Sequence, residues 1–476
     1  MTRDASGDEP GGGHVTGAPG AAPRTGTPPF RARAAAIGSV AVAGATFALS
    51  VAYTARSLPY VAASLVAGGV AISVVWTAAT NRRWRVWSVV LAVLLLAVAV
   101  ASLVFAPQGL LALAIALAGI AAATGLGVLA LRFEVHEVLA ATWRPVGPVA
   151  HGVVFMNPRS GGGKVAKLHL DDEARMRGIE PVVLGPGDDL RALAEAAVRD
   201  GADALGAAGG DGSQAIVAAV AASHGLPFVC IPAGTRNHFA LDLGVDRRDP
   251  VAALDAFGTA REATIDLADV NGDIFVNNVS LGLYAEIAAS EEYRDAKRKT
   301  VATKLPDLLG PDAKPSGLCV DAPDGELRNP QVVQVSNNAY TLASLGGFGS
   351  RARLDGGALG VVTLTITGAP DISRLVALEV AGHPERFEGF RQWSAPDLRV
   401  RGPARVAAAV DGEARTYDAP LCFTCRPAAL RVRIAPGASG ASPALLRAPV
   451  GATSIVGIAR VARGRSSGLV AYRLQR

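Results

Sequence analysis

Cysteine occurs four times in 476 residues, as Cys230, Cys319, Cys422 and Cys425. That count excludes a small disulfide-built secreted module and fits a chain kept reduced inside the cell, with neither stability nor metal binding resting on a cysteine framework. Charge is also thin. Only 18% of residues are Asp, Glu, Lys or Arg against 50% hydrophobic, and a mean hydropathy of +0.31 exceeds that of a purely soluble chain, so a membrane-embedded part is expected. Lysine is nearly missing, at six of the 46 basic residues. Arginine in such excess, beside abundant Ala and Gly, reads as GC-rich coding and not as a nucleic-acid surface. Acid and lysine are wholly absent from residues 34–131, which removes ion and proton pathways and leaves that block as an anchor.

The block is apolar at bilayer length. Stretches 34–55 and 57–81 lack charge, and 86–131 is charge-free but broken by Pro107-Gln108-Gly109. Four transmembrane helices are expected, at about 34–55, 57–81, 86–106 and 110–131. Arg24, Arg31, Arg33, Arg82, Arg83, Arg85, Arg132 and Arg144 fall on one face and Arg56 alone on the other. The positive-inside rule then makes a multi-pass cell-membrane protein whose N-terminus and all residues after 132 are cytoplasmic. Residues 1–33, with seven glycines and five prolines, are expected to be a disordered tail. No cleaved leader is expected, because the apolar stretch starts too far from the beginning.

From Gly147 the texture changes to short apolar runs between Gly, Pro and charged helices. Strands at 152–156, 181–184, 204–208 and 227–231 alternate with helices at 165–177, 189–199 and 214–223, the pattern of a doubly wound parallel sheet. After about residue 265 the runs shorten and alternate, at 273–279, 331–336, 359–367, 398–400, 405–410 and 430–434, which reads as mostly antiparallel β. The organisation expected is multi-domain: a helical transmembrane block, a linker at 132–149, an α/β domain at 150–265, a β-rich sandwich-like domain at 266–436, and a basic C-terminal tail at 437–476.

Chemistry collects in glycine-rich turns at the strand ends. Asn157-Pro158-Arg159-Ser160-Gly161-Gly162-Gly163-Lys164 follows the first strand. Its glycines let backbone N–H groups converge on an anion, while the following helix and Lys164 supply positive potential. Pro158 and Val165 exclude a Walker A loop. Gly209-Gly210-Asp211-Gly212-Ser213 follows the third strand. A dinucleotide fingerprint fails there, because no ribose-binding acid appears at the end of the next strand. An acid in such a turn can instead hold a metal ion beside a triphosphate, with Ser213 on a phosphate oxygen. The turn Pro232 to Ala240 adds Thr235 and Asn237 as polar partners. Three turns on adjacent strand ends make a phosphate crevice.

These motifs, in this order and spacing, resemble the diacylglycerol kinase catalytic superfamily, which includes bacterial lipid kinases, sphingosine kinases and ceramide kinases. Asn157 to Lys164 is similar to its Asn-Pro-x-Ser-Gly-Gly-Gly-Lys loop, Gly209 to Ser213 to Gly-Gly-Asp-Gly-Thr, and Gly234 to Ala240 to Gly-Thr-x-Asn-Asp-Phe-Ala. The resemblance spans about residues 150–435. It implies an ATP-dependent lipid kinase, with ATP and Mg2+ between the two domains and a membrane lipid as acceptor. Asn157, Pro158, Arg159, Ser160, Gly161, Lys164, Gly210, Asp211, Gly212, Ser213, Thr235 and Asn237 would contact ATP, and Asp211 the catalytic magnesium. Asp411-Gly412-Glu413 matches the late motif, making Glu413 the expected base and Asp411 its assistant through metal or hydrogen bonding; an ordinary hairpin turn is the bland alternative.

The departures are specific. Ser213 replaces a threonine but keeps its hydroxyl, and His238 stands where the family has an aspartate. Leu354 to Gly360 keeps Asp355 alone of three acids that bind a structural magnesium, a weak site. Sphingoid-base, ceramide or another lipid-alcohol phosphorylation remains open, as does a non-catalytic nucleotide- or lipid-binding regulator. A soluble NAD-kinase-like activity is disfavoured by the spans. Cys422 and Cys425 point to opposite strand faces and offer no zinc site. The basic run Glu291 to Lys304 is a candidate headgroup contact, and Ile455 to Arg463 either a basic amphipathic segment on anionic lipid or a disordered tail. Partners are the bilayer and the lipid substrate; self-association is left open.

Overall fold

The computed structural model describes residues 28–80, 90–91, 93–97, 109–283, 285, 315–341, 349–380, 386–446 and 452–467. They fall into two units, one within residues 139–446 and one combining 28–138 with 452–467.

In the second unit, helix α1 (Phe30–Thr80) runs 51 residues without stopping at Arg56. The first two expected spans are therefore one helix, since a charge marks where a chain can leave a bilayer and not where backbone hydrogen bonding ends. Helix α2 (Gly109–Thr142) continues eleven residues past the expected end at Leu131, so much of the expected linker 132–149 is helical. Two stretches among the described residues, Phe30–Tyr53 and Leu113–Val135, are long and apolar enough to cross a membrane. Most of the expected third span, and the Pro107 break after it, lie outside the described residues.

Small side chains close this unit. Ala32, Ala36, Ala130 and Val461 are buried together, and Ser39 Oγ donates to the Ala123 carbonyl at 2.7 Å. The expected C-terminal tail is structured over its described part: Pro443–Leu446 and Ala452–Ala462 are helices. The latter lays Ile458 and Val461 against α1 and α2, Arg33 Nε donates to the Ala462 carbonyl at 3.3 Å, and the Ser467 N–H donates to Glu134 at 2.8 Å. The i,i+3 apolar pair Ile458 and Val461 supplies the packed face of this helix.

In the first unit β1 (Gly152–Met156), β2 (Glu180–Val183), β3 (Ala204–Gly209) and β4 (Pro227–Pro232) pair in parallel in the order β2-β1-β3-β4. Both faces of β1, β3 and β4 are buried, which is why these strands are continuous apolar runs. Helices α3 (Leu190–Arg199), capped by Asp189, and α4 (Asp211–Ser223) supply crossovers. The helix expected at 165–177 is broken by His169 at φ 48° into Lys164–Lys167 and Leu170–Met176.

The β-rich half comprises β5 (Ala260–Val270), β6 (Asn278–Gly282), β7 (Cys319–Ala322), β8 (Gly325–Arg328), β9 (Val332–Asn337), β10 (Leu359–Leu364), β11 (Phe390–Ala395), β12 (Asp397–Arg401), β13 (Arg405–Val410), β14 (Glu413–Asp418) and β15 (Leu421–Ile434). An antiparallel sheet in the order β11-β10-β9-β6-β13-β14 shares one core with β5, β7, β12 and β15, through Val279, Val335 and Val361 on one layer and Val320, Val400 and Phe423 on the other. Along β15 Cys422 is exposed and Cys425 buried, as period-2 alternation requires. Beyond a bulge between Arg426 and Leu430, β15 pairs in parallel with β4. The expected boundary at 265/266 is thus crossed: a strand from the β-rich half completes the α/β sheet and ties the two halves together.

Candidate active site

β1, β3 and β4 are sheet neighbours, so the turns leaving their C-terminal ends emerge side by side. In the first, Asn157 Oδ1 accepts the Arg159 N–H at 3.0 Å, and Gly161, Gly162 and Gly163 have φ of 57°, 71° and 82°, a left-handed path that L side chains avoid. A methyl on Gly161 would collide with the Ala233 carbonyl oxygen of the third turn. Lys164 Nζ reaches the same turn, donating to the Gly234 carbonyl at 3.3 Å. A methyl on Gly234 would lie 2.5 Å from Gly210 Cα in the second turn. The three turns therefore pack backbone to backbone. Gly161→Ala is expected to weaken ATP binding by about 5- to 150-fold, since overpacking of this kind costs about 1–3 kcal/mol; calorimetric titration with ATP checks it.

The second turn is partly helix. α4 begins at Asp211, three residues before the expected start at Gln214, with Gly210 as N-cap. Asp211 in the first turn complements the helix dipole, and the N–H groups of this turn form an anion-facing helix end. Both carboxylate oxygens of Asp211 accept backbone N–H groups, from His238 at 3.2 Å and Phe239 at 3.1 Å, which begin the short helix α5 (His238–Asp242). Asp211 thus joins the second turn to the third. Burial pushes the His238 imidazole below its usual range, which suits a structural neutral ring.

Asn237, expected to contact nucleotide, is 2% exposed and spends its side chain inside its own turn. Oδ1 accepts the Gly234 N–H at 2.9 Å and Nδ2 donates to Pro232 and Gly234 carbonyls at 3.1 and 2.9 Å. Thr235 is exposed, and Asn157, Pro158, Ser160, Gly210, Gly212 and Ser213 are partly so. Gln214 was not anticipated. Fully buried, it donates to the Gly209 and Ile231 carbonyls at 3.3 Å each, fastening β3 to β4 below the crevice; a polar residue within an otherwise Ala- and Val-rich helix was the available signal.

Asp411-Gly412 is a two-residue hairpin turn, with Val410 paired to Glu413 and both φ positive, at 48° and 89°. The bland and the functional readings coincide, because this turn sets Glu413 against the first turn of α4. A methyl on Gly212 would occupy the place of Glu413 Oε1, so a side chain at 212 would displace the carboxylate tip. Glu413 remains 59% exposed, with Arg415 3.9 Å away. Asp411 is used structurally: its carboxylate accepts the N–H groups of Val276 at 2.9 Å, Asn277 at 2.8 Å and Asn278 at 3.1 Å. That clamp splits the expected strand 273–279 into Asp273–Phe275 and β6.

Burial pushes Asp411 up to about 7 despite these donors. A folded pKa raised above the unfolded value makes stability fall as pH rises from about 4 to about 7. Asp411→Asn is expected to flatten the thermal midpoint over that window relative to wild type; parallel slopes would remove Asp411 as the cause.

Positive charge flanks the crevice. A cavity of about 560 Å3 opens beside the first and third turns, bordered by Lys164, Arg236, Arg247 and Arg248, with Asp246 the acid on its wall. A larger cavity of about 700 Å3, near Arg177, Asp255 and Arg433, touches none of the three turns. Asp355 is held by Arg353 at 2.9 Å, and its neighbours Gly356 and Gly357 donate instead to Asn338 and Asp266. No group of three or more His, Cys, Asp or Glu able to hold a metal occurs among the described residues. The residues around Asp355 therefore do not fit a structural magnesium. Asp211 keeps a second lone pair on each oxygen and fits as one ligand of a magnesium ion carried mainly by phosphate oxygens. The basic run Glu291 to Lys304 lies outside the described residues.

A family model described as the diacylglycerol kinase catalytic domain matches residues 151–270. A diacylglycerol kinase of Mycobacterium tuberculosis is 38% identical over 121 residues, covering 25% of this chain and 39% of that protein. The chain thus spans well under two thirds of that relative. A probable YegS-like lipid kinase of Pseudomonas aeruginosa is 31% identical over 271 residues, covering 55% of this chain and 84% of the relative. A solved structure from Bacillus anthracis, described as a putative diacylglycerol kinase, is 16% identical with a TM-score of 0.48, covering 60% of this chain and 98% of that one.

Proposed function

The chain belongs to the diacylglycerol kinase catalytic-domain family, and from that premise we propose that it is a membrane-anchored lipid kinase, transferring the γ-phosphate of ATP to a hydroxyl of diacylglycerol or a related lipid at the cytoplasmic face. The observation that carries this reading is the position of Glu413, whose carboxylate stands over Gly212 where three glycine turns converge. Phosphoryl transfer asks a protein for positioning and charge stabilisation more than for covalent chemistry. The N–H groups of Gly212 and Ser213 and the left-handed glycines of the first turn face the triphosphate, and Lys164 with the neighbouring arginines offsets its charge. Magnesium bound with ATP would neutralise developing charge on the phosphate oxygens, with Asp211 as its protein ligand. Glu413 orients the acceptor hydroxyl and takes its proton as the new O–P bond forms, while the bond from the γ-phosphorus to the bridging oxygen breaks and ADP leaves with its electron pair.

Anchoring follows from the acceptor. A two-chain lipid stays in the bilayer, so an enzyme held there by Phe30–Tyr53 and Leu113–Val135 meets it at the surface where cytosolic ATP is available. The test uses membranes carrying the chain, washed with alkaline carbonate to strip peripheral proteins, then incubated with γ-labelled ATP and a total lipid extract. Label in an organic-soluble phosphomonoester is expected, destroyed by mild alkali if the acceptor is a glycerolipid and stable if it is a sphingoid base. Release of the chain by the wash would refute anchoring, and label confined to water-soluble products would refute lipid transfer.

A further inference from the structure

Arg351 is 0% exposed, the largest fully buried side chain among the described residues. Removing a guanidinium from water is costly unless it is paired and hydrogen-bonded. Here a carboxylate pairs with it and four of its five N–H groups donate. Nε donates to Asp242 Oδ2 at 2.7 Å, and the Arg351 N–H to Asp242 Oδ1 at 3.1 Å. Nη1 donates to the Val276 carbonyl at 2.6 Å and to the Asn337 carbonyl at 2.8 Å, and Nη2 to Asn277 Oδ1 at 2.9 Å. The Tyr340 ring lies 5.3 Å from the guanidinium carbon.

The partners of Arg351 lie on two elements that matter to the site. Asp242 ends α5, the helix whose first N–H groups are held by Asp211 of the second glycine turn. Val276 and Asn277 are the residues whose N–H groups hold Asp411, directly before Gly412 and Glu413. One continuous hydrogen-bonded path therefore runs from Asp211 through α5 and Asp242 to Arg351, then through Val276 and Asn277 to Asp411 and the hairpin carrying Glu413. Resting on the kinase reading above, we infer that Arg351 is a positioning residue, fixing the Glu413 hairpin against the nucleotide-facing turns without touching either substrate. A guanidinium is the side chain suited to this task, because its planar fork serves the carboxylate, two carbonyls and an amide oxygen at fixed angles, which an ammonium cannot do.

Two variants of the full chain in membranes test the inference. The first replaces the ion pair by apolar side chains, Arg351→Met with Asp242→Leu, a change that leaves no lone buried charge and that buried pairs often tolerate. ATP affinity should stay near wild type while kcat for lipid phosphorylation falls about 100-fold, the scale of a 1 Å misplacement of a reacting group. The second is Arg351→Lys, which keeps charge opposite Asp242 but loses the fork; kcat should fall in the same direction with ATP affinity retained. A folded paired variant with wild-type kcat would overturn the inference. So would full rescue by lysine, which would make buried charge alone sufficient, or an ATP affinity loss as large as the kcat loss, which would make Arg351 a scaffold of the nucleotide turns only. An inactive wild-type chain would sink the kinase reading and this inference together, whereas an active wild type beside an unaffected paired variant sinks this inference alone.

Discussion

Glu413→Gln should slow lipid phosphorylation by roughly 10²–10⁴-fold, the usual contribution of a general base, while leaving ATP affinity close to wild type. The substitution keeps the size of the side chain and its ability to accept a hydrogen bond over Gly212, and removes only its basicity. Since Glu413 lies on a hairpin whose shape is set by Asp411 and Gly412, the backbone has no reason to move. The check is a paired measurement, ATP affinity by titration and transfer by single turnover. Near-normal transfer would eliminate Glu413 as the base and leave substrate positioning as the main catalytic effect. Gly212→Ala provides an independent handle on the same geometry, because its methyl would occupy the space of Glu413 Oε1. If the carboxylate acts from that place, the Gly212 and Glu413 substitutions combined should cost less than the sum of the two alone.

Gly234→Ala is the second change with a large expected effect, a fall in ATP affinity of roughly 10–100-fold, corresponding to about 1–3 kcal/mol of overpacking. The methyl would stand 2.5 Å from Gly210 Cα, 3.0 Å from Gly210 N and 2.7 Å from Asn237 Oδ1. Two of these are backbone atoms, which cannot swing aside as a side-chain tip can. Gly210→Ala gives the contrast, since a methyl there meets no protein atom within 4 Å. Loss of ATP affinity in Gly210→Ala would then report an approaching ligand, whereas loss in Gly234→Ala reports separation of the second and third turns. Unchanged affinity in Gly234→Ala would remove the packing of these turns from nucleotide binding.

The sequence announced the parallel strands because β1, β3 and β4 are buried on both faces, leaving nothing polar to blur their runs. The glycine turns were equally legible as motifs, since close backbone approach leaves few residue choices. Less visible was how motif side chains divide their labour. Asn237 and Asp411 carry family signatures, yet both spend their hydrogen bonds on backbone groups, Asn237 on one N–H and two carbonyls and Asp411 on three N–H groups, a distinction that depends on three-dimensional turn geometry. Arg351 was not legible for another reason: three of its four hydrogen-bond partners lie 109, 75 and 74 residues away, and one arginine among 40 has no local pattern. The packing of the C-terminal helix was not legible, because the partners of Ile458 and Val461 at Ala32, Ala36 and Ala130 lie more than 300 residues earlier.

Movement of the γ-phosphate of ATP onto a lipid hydroxyl, in a crevice built by the three glycine turns and Glu413, is the function proposed for this chain. Its most direct test is one single-turnover experiment on membranes bearing either wild type or Glu413→Gln, preloaded with γ-labelled ATP and then supplied with diacylglycerol. Both proteins should hold the labelled nucleotide, and wild type alone should convert it rapidly into a labelled lipid phosphomonoester. Wild type that holds ATP yet transfers no label to lipid, or a Glu413→Gln protein that transfers at the wild-type rate, would contradict it.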